Sequence, residues 1–532
     1  MKKPITPARG DARPPGGTRQ QTDSPRQGSG YLYFTAAVTG AAIMIVEILG
    51  AKMLAPYFGT SHFVWTAQIA ITLVALACGY YAGGRLVDIS PRAERMYIAI
   101  LVAAVYLCFA VLVVKPVSYW CLRFSLAAGS LLASGFLFFI PLALLAMVGP
   151  FFVRVLTDSV AGVGGNVGRL TAIGTLGSFL GTVLIGYWLI PALPNSVSMY
   201  GTAIALMLVV GAYFLVWSRK RLKPVAVAIL AGAGLGAYAV NVEGRPEFAN
   251  VTELARENSS FGLLQVLQDK YTTRRYYLND YLTQNTYDSQ DKQSLSMFTY
   301  MLHLLAKAYT PGITNVLCIG LGVGIVPMQF AREGASVDVV EINPDVVPLA
   351  QKYFDLEPSR LNIKIGDGRY FVRQTENQYD AIILDAFLGD SSPSHLMTQE
   401  AFSEMRRALK AHGVLVINSF GDFWPGRDFL TASIYQTLAS VFTSVRIHAE
   451  GMHGNTLFVA SANPDLKILR EPDLSGVHVS SARQVSAAFD GLREVTPASG
   501  RVLTDDYNPV EFHDAVNREQ LRRNLAVGVK NL

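Results

Sequence analysis

The sequence predicts a helical membrane region followed by a doubly wound α/β domain with a small β-rich unit in front of it. Three observations predict this. Seven apolar stretches fill the first half, each close to the length that crosses about 30 Å of hydrocarbon. The texture turns to ordinary globular composition after Glu243. From Val316 onward, strand-like and helix-like runs take turns, which is the pattern of a mostly parallel sheet covered on both faces.

The 532 residues are 51% hydrophobic, too many for one ordinary domain and too apolar for a wholly soluble chain. The net charge of +5 comes from a basic amino terminus and from short loops between apolar runs, so it speaks of membrane orientation. No basic stripe interleaved with aromatics occurs in the second half, and a nucleic-acid partner is not expected. The four cysteines, Cys78, Cys108, Cys121 and Cys318, show no disulfide framework or zinc spacing, and no metal is expected.

Residues 1–28, rich in Arg, Pro, Gly and Gln, lack a core-forming pattern and are expected to be a disordered tail without a cleavage site. The membrane region is expected over residues 29–242, with spans near Tyr31–Gly50, Val64–Val87, Tyr97–Val114, Leu131–Val153, Val167–Ile190, Met199–Trp217 and Pro224–Val240. The segment near Tyr119 and Trp120 reads as interfacial. Gly174, Gly177 and Gly181 fall close to one helical face, a small-residue seam that admits another helix. Glu47 lies within the first apolar run, where an acid costs a few kcal/mol, about 2.5 to 3.5. It is expected to contact a cation in a bundle cavity, to pair with Lys52, or to stay wet near the surface. Basic residues put the amino terminus in the cytoplasm; an odd number of crossings then carries the rest outside, unless the short seventh span does not cross.

A small β-rich unit and a leading helix are expected over 243–312, and the doubly wound domain over 313–532. Strands are predicted at Val316–Gly320, Ser336–Ile342, Leu361–Ile365, Ala381–Leu384 and Gly413–Asn418, with two more near Thr443–His448 and Thr456–Ala460. Helices between them are predicted up to Arg332, at Pro344–Phe354, Tyr370–Gln374 and Gln399–Leu409, and near Leu430–Ala439.

Ligands of such sheets sit at the carboxyl ends of the strands. There the sequence reads "NVLCIGLGVGIVPM", and Gly320, Gly322 and Gly324 let the chain turn sharply and let a ligand lie against the backbone. Glu341 ends the second strand 21 residues after Gly320, where a carboxylate can accept hydrogen bonds from both hydroxyls of a ribose. Asp367 in "IGDGRYF" can accept from an adenine amino group or cap a helix. Asp385 in "YDAIILDAF" points into the crevice or forms a turn.

Together these residues resemble the spermidine synthase family, aminopropyltransferases with the class I methyltransferase-like fold. The resemblance covers Glu257–Glu511. With the multi-span front half and its "GAKMLAPYFGTSHFVWT" and "GYYAGGRLVD" segments, the chain resembles prokaryotic membrane-bound spermidine synthase-like proteins. The resemblance implies that Gly320, Gly322, Gly324 and Glu341 hold the nucleoside, that Asp367 and Gly368 bind adenine, and that Asp385 assists attack by an amine. It implies decarboxylated S-adenosylmethionine as co-substrate, with S-adenosylmethionine the alternative, and a small amine or polyamine acceptor. Gln284 matches a glutamine near the thioether, and Tyr300, Asp390, Asp505 and Asp506 are candidates for holding the acceptor.

The resemblance departs at the amine half. Val323 stands where the family's glycine loop carries an aspartate, Leu388 where a second acid follows the first, and Phe298 and Tyr300 about where a tyrosine and an acid are expected. Three functions follow: aminopropyl transfer, methyl transfer favoured by "GLGVG", or a transporter or sensor that binds a nucleoside or polyamine without turnover. The bilayer is an expected partner in each, the plasma membrane the expected location, and a homo-oligomer is compatible with all. A tether to the bilayer suggests that the acceptor or product is lipid-associated or crosses the membrane.

Overall fold

The computed structural model describes residues 28–59, 62–157, 162–243, 250–387, 393–495, 499–510 and 512–513. Its first half holds seven helices long and apolar enough to cross a membrane: α1 Ser29–Phe58, α2 His62–Ile89, α3 Ala93–Cys121, α4 Leu126–Leu156, α5 Val163–Ala192, α6 Asn195–Trp217 and α7 Arg219–Val242. Most of them run past the apolar stretches at both ends, so that Tyr119 and Trp120 close α3 instead of forming a separate linker. The seventh, 24 residues long, spans about 36 Å at 1.5 Å per residue, enough for a full crossing.

Small residues decide how these helices meet. A side chain on Gly177 would run into the carbonyl of Ala37, one on Gly181 would strike Ala41 at 2.6 Å, and one on Gly40 would strike Gly174. The glycine seam is therefore the contact between α1 and α5, where the backbones approach too closely for a Cβ. Buried polar groups between the helices are mostly paired: Thr35 and Tyr97 share a hydrogen bond of 2.9 Å, and Ser134 donates to the Gln68 Oε1 at 3.0 Å. Glu47 is half-buried, and among the described residues no ion pair joins it to Lys52.

The second half opens with an antiparallel five-stranded sheet, in order: β1 Val251–Ser259, β2 Gly262–Asp269, β3 Arg274–Asn279, β4 Leu282–Asp288 and β5 Gln293–Ser294. Asp280 and Tyr281, both at positive φ (46° and 64°), make a two-residue turn between β3 and β4. That geometry matches the twist of the strands it joins.

After α8 (Met297–Tyr309) come β6 Asn315–Ile319, α9 Ile325–Arg332, β7 Ser336–Glu341, α10 Val346–Tyr353, β8 Asn362–Ile365, α11 Gly368–Gln374 and β9 Tyr379–Leu384. The chain continues with α12 Gln399–Ala408, β10 Leu409–Asp422, α13 Phe429–Val441, β11 Ser444–Ala449, β12 His453–Ser461 and α14 Val479–Asp490. The seven strands are ordered β11-β12-β10-β9-β6-β7-β8, parallel except where β12 pairs antiparallel with β10 and β11. This is the class I methyltransferase-like architecture. Sequence reasoning missed α14 and stopped β10 four residues short of Asp422.

The alternation of side chains along each strand divides the core. Cys318, Val339, Ile383 and Val416 face Met301 and Leu305 of α8 and Val485 of α14. Leu317, Ile319, Ile382 and Ile417 face Phe402 of α12 and Leu438 of α13. Truncating Ile383 to Ala between these layers would cost about 2–5 kcal/mol through lost burial and the cavity left behind. A sheet clamped in this way fixes the carboxyl ends of β6, β7, β8, β9 and β10 along one rim.

Candidate active site

The turn after β6 gives the rim its shape. Gly320, Gly322 and Gly324 all have positive φ (96°, 54° and 85°), a region that costs side-chain-bearing residues about 1–3 kcal/mol. A side chain at Gly320 would also run into the carbonyl of Asp385, so the backbones of the first and fourth parallel strands meet there. The Asp385 N–H donates to Ile319 O at 3.0 Å, and the Gly320 N–H to Val340 O at 2.9 Å. Gly324 stands at the start of α9, beyond the cavity lining.

A cavity of about 840 Å³ opens over this rim, lined among others by Gly320, Gly322, Glu341, Asp367, Gly368, Asp385 and Gln284. The structure thus brings together most of the residues singled out in the sequence. Glu341 is 8% exposed. Its Oε2 accepts the Leu321 N–H at 2.9 Å, and its Oε1 accepts the Asn343 N–H at 2.8 Å. Burial pushes the carboxyl above its ordinary value against the pull of those N–H groups. Each oxygen keeps a further lone pair for a ligand hydroxyl.

Asp367 both caps a helix and lines the cavity. It accepts the Tyr370 N–H at 2.8 Å, and its other oxygen lies 2.9 Å from His395 Nε2. Burial works to raise its pKa, but these two partners outweigh it and hold the carboxyl below the usual range. Gly368 sits so close to Ile319 that no side chain fits. Gln284 and Asn285 reach the cavity from β4, placed by the tight turn at Asp280 and Tyr281.

Asp385, just past β9, is pushed up to about 6 by burial, partly offset by a hydrogen bond from Asn418 Nδ2 at 2.9 Å. Asn418 in turn accepts from Asn455 Nδ2 at 3.0 Å. A carboxylic acid poised near neutrality can exchange a proton with a ligand at physiological pH.

Three candidates for holding the acceptor, Tyr300, Asp505 and Asp506, lie outside the cavity lining. Tyr300 is buried away from the cavity; its hydroxyl donates to Ser294 O at 2.7 Å and accepts the His478 N–H at 3.3 Å, which ties α8 to β5 and α14. Asp505 receives a forked pair from Arg369 at 2.6 and 2.7 Å, and Arg369 holds its carboxyl below the usual range. Asp506 is exposed beside it, and neither acid lines the cavity. The resemblance made them candidates, whereas Arg369, on α11, holds Asp505 as a brace. Asp390 lies outside the described residues. Val323, in the place of the missing loop acid, is 2% exposed and packs in the core.

Sequence reasoning missed Asn285, Asn343, Asn418, Asn455 and Glu450, all of which line the cavity. Asn418 had a signal: it is the first polar side chain after the apolar run "GVLVI", and the ends of such runs form the rim.

The spermine/spermidine synthase domain matches residues 296–450. The polyamine aminopropyltransferase of Vibrio vulnificus is 34% identical over 245 residues, which are 42% of this chain and 78% of that relative. The N-terminal histidine N-methyltransferase of Emericella nidulans is 37% identical over 142 residues, 26% of this chain and 25% of its own. Among solved structures, spermidine synthase from Thermotoga maritima is 20% identical, with 45% of this chain and 84% of that one covered at a TM-score of 0.36.

Proposed function

The chain belongs to the spermidine synthase family of polyamine aminopropyltransferases, and on that premise we propose that it moves an aminopropyl group from decarboxylated S-adenosylmethionine to an amine acceptor. One observation carries the reading: a carboxylic acid poised near pH 6, Asp385, shares a cavity with a buried ribose-type acceptor, Glu341, across a glycine turn. The donor supplies an activated carbon beside a sulfonium. Glu341 holds the ribose hydroxyls, Asp367 with Gly368 borders the adenine, and Gln284 reaches the thioether side. Asp385 takes a proton from the acceptor's ammonium, because a protonated amine has no lone pair for attack. Its negative charge also lies where positive charge moves from sulfur to nitrogen, and Asn418 keeps the carboxylate aimed into the cavity.

The division of labour that goes with this reading places a membrane anchor over 29–242, the β unit and leading helix over 243–312, and the transferase over 313–532. Arg85, Arg92, Arg95, Arg154, Arg169, Arg219, Lys220, Arg221 and Lys223 lie near helix ends on the side where α1 begins; Lys52, Lys115 and Arg123 lie on the other. By the positive-inside bias, the amino terminus faces the cytoplasm and seven crossings carry the transferase to the far side. Reporter fusions after position 244 test this, and activity of a cytoplasm-dependent reporter there would overturn it.

Methyl transfer is the second reading, favoured by the similarity to the Emericella nidulans methyltransferase and by the valine in the glycine loop. Mass spectrometry of the nucleoside product decides. Methylthioadenosine formed from the decarboxylated donor supports aminopropyl transfer, adenosylhomocysteine from S-adenosylmethionine supports methyl transfer, and donor binding with neither product overturns both.

A further inference from the structure

The two halves of the cavity separate along the sheet. Glu341 and Asp367 stand at the ends of β7 and β8, and Asp385 at the end of β9, while Asn418 and Phe420 belong to β10 and Asn455 to β12. A group that attacks across Asp385 from the side opposite the nucleoside therefore arrives over β10 and β12.

This side meets the helical half through the last described residues, while β1 meets it at the end of α5. The His513 ring stacks on Phe429, at the start of α13, with centroids 3.8 Å apart. Its neighbour Phe512 lies 5.6 Å from His62 and 5.5 Å from Phe63, the first residues of the membrane-length helix α2. Trp424, 55% exposed, stands in the loop between β10 and α13 on the same rim. An exposed indole of this kind has the chemistry of a headgroup-level anchor.

The acceptor side carries little charge. Among the described residues that line the cavity, Glu450, on the turn between β11 and β12, is its one acid apart from Asp385, and it has no hydrogen-bond or ion-pair partner. Phe387 and Phe420, which also line the cavity, meet edge to face with ring centroids 6.0 Å apart. With Tyr300 engaged elsewhere and Val323 in the core, the described residues on this side offer Glu450 beside Asp385 and no row of acids for an extended polycation.

We infer that the acceptor is a primary amine carried on a lipid headgroup, which enters the cavity from the bilayer face over β10 and β12. The inference rests on the aminopropyl-transfer reading and names its substrate class. The headgroup ammonium is held by Glu450 and gives one proton to the Asp385 carboxylate. Its lone pair forms the new C–N bond while the C–S bond breaks, and the bond pair stays on sulfur, which becomes a neutral thioether. The positive charge passes to the secondary ammonium of the product, and the proton on Asp385 leaves to water.

The full chain in phosphatidylethanolamine–phosphatidylcholine vesicles with decarboxylated S-adenosylmethionine is expected to yield an aminopropylated lipid and equal methylthioadenosine. The rate should exceed that with putrescine in phosphatidylcholine alone by about tenfold or more, because the bilayer concentrates the acceptor at the rim. Methylthioadenosine with putrescine and unmodified lipid overturns the lipid acceptor and leaves the transferase reading standing. No methylthioadenosine in either arm overturns the transferase reading itself. Glu450→Gln, checked for folding by retained methylthioadenosine binding, is expected to slow the lipid reaction about tenfold through a weaker hold on the ammonium; an unchanged rate would overturn its part.

Discussion

Asn418 donates a hydrogen bond of 2.9 Å to the carboxylate of Asp385 from the end of the neighbouring strand. It favours the ionised form, against the burial that pushes the Asp385 carboxyl up to about 6. The two side chains set the pH at which the site holds a usable base.

The dependence of kcat/KM on pH should therefore rise with unit slope on the acid side and bend near pH 6, since that ratio reports the free enzyme's groups. Asn418→Ala removes the hydrogen bond that stabilises the anion, so its bend should move to higher pH. The stability contribution has the opposite sense. Asp385 binds its proton more tightly folded than unfolded, so its contribution is full below its ordinary value of 3.8 and is lost as pH rises through about 6. A pH–rate profile of both proteins checks the prediction, and coincident profiles would remove Asn418 from the account.

Glu341→Gln should weaken donor binding. The substitution replaces one of two accepting oxygens with a donor and removes the charge, while hydrogen bonds to a charged group are worth about 1.5–3 kcal/mol. Titration of methylthioadenosine should show affinity lower by about ten- to a hundredfold. Equal affinity would mean that the nucleoside does not lie on Glu341.

Asp505→Asn separates a brace from a substrate contact. The Asp505 side chain is 45% exposed and its partner Arg369 11%, so the forked pair is worth about 1 kcal/mol or less after screening by water. Activity per folded molecule should stay within about twofold, with a small fall in the melting temperature. A large fall in acceptor use at full stability would restore the acid to the site.

How much of this was legible in the sequence depended on whether local pattern carried the information. The glycine turn and Glu341 announced themselves because positive φ demands glycine and because β7 is an apolar run that ends on an acid. The places of Tyr300 and Asp505 outside the cavity lining were not legible for one reason: their partners, Ser294 and Arg369, are fixed by tertiary packing, which spacing along the chain does not report. Glu450 and Asn455 stayed hidden because β11 and β12 reach the rim by an antiparallel hairpin, whereas the strand–helix rhythm points only to the ends of parallel strands. The long β10 outran its apolar core for a related reason, since pairing with β12 continues to Asp422.

The central claim is that Asp385 acts on the acceptor while Glu341 and its neighbours hold the donor, and single turnover by Asp385→Asn with bound decarboxylated S-adenosylmethionine and an amine acceptor tests it most directly. Donor affinity should stay within about threefold of the parent while methylthioadenosine formation falls by about 10²–10⁴-fold, the span of a lost general base. Formation at the parent rate would contradict the account.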